Sequence, residues 1–390
     1  MNAFDAIIDR KGTASIKHDL AKTIFGNENI LPMWVADMDF ETPSFVREAV
    51  IERAKHPVYG YTFRDESYYE AIIGWMKRRH QWEISKDWIL FSPGVVPALN
   101  FTVLALTAPG DEIIVQSPVY FPFFTAISDH GRKLVNNRLV VENQTYAIDF
   151  DLLEEQAKTA KMLVLCNPHN PVGRSWTKPE LERIAEICLH NKVIVLSDEI
   201  HNDLVLPPHK HTVFANLSPE IAAITITAHS PSKTFNLAGL AASSLIISDE
   251  KLRNIVKTKI QHLHLDMGNI FGFEATKAAF IMGDEWLNDL VKYLKNNVME
   301  TEMFLREQLP HMLIYPTEAT YLMWLDFGFT GLDDKMIHEK LINEAGLWLS
   351  PGKDFGSGGE GKMRLNVACP LSVLRDGLQK IVMTFKNENN

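Results

Sequence analysis

The chain has 390 residues, 46% of them hydrophobic and 23% charged, and a formal net charge of −10. That length is enough for two packed domains, and the composition is ordinary for a globular protein. The acidic balance disfavours nucleic acid and anionic membranes as partners but leaves room for a local basic pocket that takes one small phosphate. The three cysteines, Cys166, Cys188 and Cys369, show no C-x-x-C spacing, which predicts neither a disulfide framework nor a zinc site. The N-terminal stretch is charged throughout and lacks an apolar h-region, and no apolar run is long enough to span a bilayer. A cytoplasmic location is therefore expected.

In chain order, residues 1–42 contain no complete unit of their own. Phe91-Ser92-Pro93-Gly94-Val95-Val96-Pro97 reads as a glycine leading into a helix, whose free N–H groups suit a phosphate. Asp111–Gln116 reads as a strand, and Tyr120 follows it with a ring suited to stacking on a ligand. Further strands are expected at Met162–Cys166, Val193–Ser197, Ala223–Thr227 and Ser243–Ile247. Their nearly continuous Val, Ile and Leu content fits parallel strands covered on both faces. Pro179–Leu189 carries the apolar spacing of a helix between two of them. Strands alternating with helices predict an α/β fold with a doubly wound, mostly parallel sheet. From Trp286 the pattern changes to a long amphipathic helix, then strand-like Thr320–Asp326, a helix, and Lys362–Ala368. The expected division is a large domain over 43–285 and a smaller, discontinuous α+β domain made of 1–42 and 286–390. No internal repeat is present.

In such sheets ligands bind beyond the carboxyl ends of the strands. After Cys166 comes Asn167-Pro168-His169-Asn170-Pro171-Val172-Gly173, after Ser197 comes Asp198-Glu199-Ile200-His201, and after Thr227 comes Ala228-His229-Ser230-Pro231-Ser232-Lys233. A buried lysine has a depressed pKa and forms a Schiff base with an aldehyde, and Ser230 and Ser232 are placed to donate to a phosphate. Asp198 suits a protonated pyridine nitrogen, and Asn170 a phenolic oxygen. Each has a plainer reading on its own. Lys233 could be a solvated loop lysine, Asp198 a helix N-cap or a metal ligand beside His201, and Asn170 part of an ordinary turn.

Their order and spacing together are more specific. With Pro32-Met-Trp-Val-Ala-Asp-Met-Asp-Phe40, Tyr59-Gly-Tyr61, Ser197-Asp-Glu-Ile-His201, Ser230-Pro-Ser-Lys233 and Arg364-Leu-Asn-Val-Ala-Cys-Pro370, the chain resembles fold-type I pyridoxal 5′-phosphate (PLP) enzymes over nearly its whole length. This is the aminotransferase class I/II superfamily, and the resemblance is strongest to its MalY/PatB-type cystathionine β-lyase branch. Ordinary aminotransferases of this fold usually have a tyrosine where His201 stands. The resemblance implies that Lys233 carries the cofactor and removes the substrate Cα proton. It implies that Asp198 holds the pyridine nitrogen, Asn170 the O3′ oxygen, and that Tyr120 stacks on the ring. Gly94, Val95, Val96, Ser230 and Ser232 would surround the phosphate, with His201 near the ring. Arg364 would clamp the substrate carboxylate beside Ala36 and Asn170. Tyr61 would reach across a homodimer interface toward the neighbouring subunit's phosphate and substrate.

The activity implied is β-elimination from a cysteine S-conjugate such as cystathionine. An aminotransferase is the alternative, since it shares the chemistry up to the Cα carbanion. A non-catalytic PLP-binding regulator is a third class, and the absence of room for a DNA-binding segment before Met33 speaks against it. Gly356-Ser-Gly-Gly-Glu-Gly361 precedes a strand and opens no helix, so it is expected to be a rim loop and not a dinucleotide site. His209-Lys-His211 and His262-Leu-His264 lack a third ligand in sequence, and no metal is expected.

Overall fold

The structure, a computed structural model, describes residues 2–388. Its large sheet has seven strands: β1 (Ile89–Ser92), β2 (Glu112–Val115), β3 (Lys133–Asn136), β4 (Met162–Cys166), β5 (Ile194–Asp198), β6 (Thr225–His229) and β7 (Ser243–Ile246). They lie in the order β1-β7-β6-β5-β4-β2-β3. All neighbours are parallel except β7, which runs antiparallel to both β1 and β6. The sequence reading placed β7 among parallel strands. Its connection from β6, residues 230–242, carries Lys233, is shorter than those joining the parallel neighbours in the sheet, and holds only helical turns of three and four residues in place of a crossover helix.

β4 is apolar at every position because both its faces are covered, whereas the edge strand β3 carries Lys133 and Asn136. Along β4, Met162, Val164 and Cys166 enter one core with Val95, Leu99 and Leu196, while Leu163 and Leu165 enter the opposite core with Trp176, Leu181 and Ile184. The helix over Lys178–Asn191 starts on a capping box between Thr177 and Glu180, so its first turn is satisfied before any packing.

A second, antiparallel sheet is built from β8 (Leu313–Ile314), β9 (Leu322–Asp326), β10 (Ser350–Pro351) and β11 (Lys362–Asn366), in the order β8-β9-β11-β10. Met323, Leu325, Met363 and Leu365 on this sheet pack with Leu374, Leu378 and Ile381 of the helix Leu371–Phe385. Leu31–Pro32 pairs in parallel with Leu347–Trp348, so the N-terminal segment adheres to the C-terminal part of the chain. From there it runs to Ala36 and Met38. The Asn236 side chain accepts from the Met38 N–H at 3.0 Å and donates to the Met38 carbonyl at 2.8 Å, which brings that segment against the Lys233 turn.

Candidate active site

β6, β5 and β4 are consecutive in the sheet, so the three polar turns that follow them meet at one end. Asp198 closes β5, level with Cys166 of β4 and Ala228 of β6. There a cavity of about 190 Å³ is lined by Ala36, Gly94, Val95, Val96, Tyr120, Asn170, Asp198, His201, Ser230, Ser232 and Lys233. Gly94 caps the helix Val95–Leu106, whose first N–H groups have no partners within the helix. Opposite, the Ser230 hydroxyl accepts from the Ser232 N–H at 3.1 Å and donates to the Ala242 carbonyl at 2.8 Å. The Asn170 turn is held by His169 Nε2, 2.9 Å from the Pro118 carbonyl, and by Gly173, whose carbonyl accepts from Glu318 and Ala319 at 2.9 Å. Gly173 has φ +73° with the Thr317 backbone against it, a conformation and a closeness that favour glycine.

The charged groups are held off balance by enclosure. Burial raises the Asp198 carboxyl to about 7, opposed by the Ile200 N–H that donates to it at 3.1 Å and by the charge of Lys233. No salt bridge to Asp198 forms among the described residues. Burial likewise lowers the Lys233 ammonium to about 8, and Arg364 pushes the same way, against Asp37 and Asp198. Its amine donates to the Ala36 carbonyl at 2.6 Å, and the Tyr321 hydroxyl donates to the same oxygen at 2.9 Å. His201 is pushed well below its ordinary value, first by burial and then by Lys233 and Arg364, so its imidazole is neutral. Its Nδ1 is buried without a partner.

Arg364 lies behind Asn170. Its guanidinium donates to Asn170 Oδ1 at 3.0 Å, the Trp34 carbonyl at 2.9 Å and Ser350 Oγ at 3.1 Å, and lies 4.7 Å over the Phe355 ring. Nε has no partner, and no carboxylate pairs with this buried cation among the described residues. A buried cation without a counter-ion is costly unless a ligand supplies the anion. Together these groups suit a planar, phosphorylated aldehyde and an amino acid with a free carboxylate.

Arg364 reaches this cavity only through Asn170, and the other predicted residue outside its lining is Tyr61. It is 97% exposed, beside Tyr59, Gly60 and the segment Met267–Phe271. Tyr321, Trp34, Ser350 and Phe355 were not singled out by the sequence. Ser350, Phe355 and Tyr321 act from the second sheet or the segments flanking its strands, and Trp34 acts through a carbonyl that any residue would supply. The Gly356–Gly361 loop lies outside the cavity lining and bonds to the large sheet through Ser357, whose Oγ is 2.9 Å from Ser117 Oγ and accepts from Asn136 Nδ2 at 2.8 Å. His211 Nε2 lies 2.8 Å from Glu199 Oε2.

Residues 28–381 match the family aminotransferase class I and II. The chain belongs to that family. It is 44% identical over 380 residues to cystathionine β-lyase PatB of Bacillus subtilis (strain 168), covering 97% of this chain and 98% of that one. Among solved structures, cystalysin from Treponema denticola, which contains pyridoxal 5′-phosphate, superimposes with a TM-score of 0.96 at 36% identity, covering 99% of both chains. The PLP-bound C–S lyase from Staphylococcus hominis gives 0.92 at 35% identity, with 98% of both chains covered. The class I/II family and its PatB-type branch are those the motifs resemble. No helix among the described residues is long and apolar enough to cross a membrane.

Proposed function

We propose that this chain is a PLP-dependent cysteine-S-conjugate β-lyase, releasing thiol, pyruvate and ammonia from conjugates such as cystathionine. The observation that carries the reading is Arg364. A buried guanidinium with no carboxylate paired to it among the described residues bonds to Asn170, which lines the same cavity as a lysine of lowered pKa and a carboxyl of raised pKa. The donor set fits the cofactor: an amine for its aldehyde, a carboxyl for its ring nitrogen, and a helix N-terminus with two serines for its phosphate.

When bound, the cofactor supplies an electron sink that makes the Cα proton of an amino acid removable. Around it Lys233 is the covalent anchor and the base that takes the Cα proton. Asp198 would keep the ring nitrogen protonated, Asn170 would hold the O3′ oxygen and Tyr120 would cover the ring. Gly94, Val95, Val96, Ser230 and Ser232 hold the phosphate, and neutral His201 lies near the ring. Arg364 clamps the α-carboxylate beside Ala36 and Asn170, which fixes the Cα–H bond toward Lys233. The Cβ–S bond breaks with its electrons on sulfur, the thiolate takes up a proton, and water converts the remaining three-carbon fragment to pyruvate and ammonia.

The working unit is a homodimer in which Tyr61 serves the neighbouring cavity, and the chain divides into 43–285 and 1–42 with 286–390. A cytoplasmic location fits the acidic composition. Incubating the holoenzyme with cystathionine, cystine and a plain amino acid tests the activity. Thiol and pyruvate in equal amounts are expected from cystathionine, and thiocysteine and pyruvate in equal amounts from cystine. Conversion of the cofactor to its pyridoxamine form with many amino acids, without thiol, would instead make the chain an aminotransferase.

A further inference from the structure

A buried polar layer lies directly behind the cavity, outside the residues that line it. Its centre is Asp203, two residues after His201, with no exposed side-chain surface. Its carboxylate accepts from Trp75 Nε1 at 3.1 Å, from His80 Nε2 at 2.8 Å and from Thr234 Oγ1 at 2.8 Å. Trp75 and His80 belong to one helix, Glu66–His80, while Thr234 is the residue after Lys233. Burial by itself would raise the Asp203 carboxyl. The hydrogen bond and charge of His80, with the charge of His229 and the Thr234 hydroxyl, bring it down to about 2, so it is a carboxylate at any working pH.

The connection is informative because of what stands at each end. Asp203 belongs to the stretch that carries Asp198 and His201, and it follows them by five and two positions. Thr234 ends the helix Pro231–Thr234, a single turn of four residues that carries Lys233. A turn that short has no stability of its own. Ser230 holds its front, through the Ser232 N–H and the Ala242 carbonyl, and the Thr234 hydroxyl holds its back. One carboxylate thus joins the loop carrying Asp198 and His201 to the turn carrying Lys233, and anchors both on a rigid helix. Burying an ion is expensive, and an apolar side chain would fill the space at lower cost. What an apolar residue would not do is fix the rotation of the Lys233 turn.

We propose that Asp203 is a positioning residue for the reaction: through the Thr234 hydroxyl it sets the rotation of the one-turn helix that aims the Lys233 amine into the cavity. This rests on the role given to Lys233 above. A shift of about 1 Å in a reacting group is enough to slow turnover by orders of magnitude while leaving binding intact.

Thr234→Val tests it, since valine keeps the shape and removes only the hydroxyl. In the holoenzyme T234V should lower kcat about tenfold, as expected for the loss of one buried hydrogen bond, with KM within about twofold. The visible circular-dichroism band of the bound cofactor, which reports its orientation in the site, should change in T234V and return in Thr234→Ser together with kcat. Asp203→Asn should reproduce the T234V effects, and the double variant should lose little more than either alone. A T234V protein with lowered melting temperature but unchanged kcat and dichroism would overturn the proposal, as would a T234S protein impaired as far as T234V. If T234V does not accumulate folded, D203N against T234S carries the same comparison. Failure of the underlying reading looks different. A parent protein with no visible band on adding PLP would remove the cofactor role, and one with a band but no thiol release would remove only the lyase activity, leaving the dichroism comparison to decide.

Discussion

Lys233 owes its chemistry to its enclosure, and that can be measured without turnover. With the ammonium lowered from 10.5 to about 8, the neutral, nucleophilic amine grows in as pH rises through that value. The rate at which apoprotein captures pyridoxal 5′-phosphate should therefore climb with a midpoint near 8; a midpoint near the ordinary lysine value would contradict the burial argument. Lys233→Ala should lose the visible-edge absorbance and nearly all turnover, and a mutant that keeps the band would place the anchor elsewhere. Arg364→Ala removes the cation that waits for an anion, so KM for an amino-acid substrate should rise roughly 10–100-fold, with a smaller change in kcat. An unchanged KM would show that the carboxylate binds another group.

At the scale of elements, the site depends on how the second sheet is held against the first. The Val119 N–H donates to the Phe355 carbonyl at 2.9 Å, and Ser357 bonds to Ser117 and Asn136, so the turn before β11 is fastened to the large sheet. That turn presents Phe355 to Arg364 and leads into the strand that carries Arg364. Gly352 leaves no room for a side chain there. A Cβ there would lie 2.1 Å from the Gly359 carbonyl oxygen and 2.5 Å from that of Lys362, both backbone atoms that cannot step aside. Gly352→Ala should cost about 1–3 kcal/mol of stability by overpacking and raise KM by displacing the guanidinium. Thermal melting and substrate titration check the two effects, and a variant with parental Tm and KM would show that the turn relaxes freely.

Over the whole molecule, the proposed homodimer is tested through the exposed aromatic residues. Tyr61 at 97% and Phe63 at 80% exposure, near Val58 and Tyr59, form an exposed apolar stretch that does not line the cavity of their own chain. Sedimentation of the holoenzyme should give twice the mass of one chain. Mixing Lys233→Ala with Tyr61→Ala protein under exchanging conditions should regain activity, because a mixed dimer has one cavity with Lys233 from one chain and Tyr61 from the other. A mixture as inactive as its parts would mean that Tyr61 serves its own subunit or no site.

The alternation of apolar strands and amphipathic helices, and the residues at the ends of β4, β5 and β6, were legible in the sequence because period and strand-end position are local properties. Lys233, Asp198, Asn170, Ser230 and Ser232 meet in one cavity for that reason: consecutive parallel strands put their carboxyl ends side by side. The antiparallel direction of β7 was not legible, since its apolar content is that of a parallel strand and only the length of its connection differs. Neither were the contributions of Trp34, Ser350 and Tyr321, which reach the site through carbonyls and hydroxyls from segments far along the chain from Lys233 and Asn170. Asp203 lay in plain view, two residues past His201, yet its bond to Thr234 depends on how β5 and β6 and the helix Glu66–His80 pack. The sequence by itself determined which groups stand at the strand ends. Only the tertiary structure decided which of them lose water, and with it how far their pKa values move, because desolvation depends on everything that packs around a group and not on its neighbours along the chain.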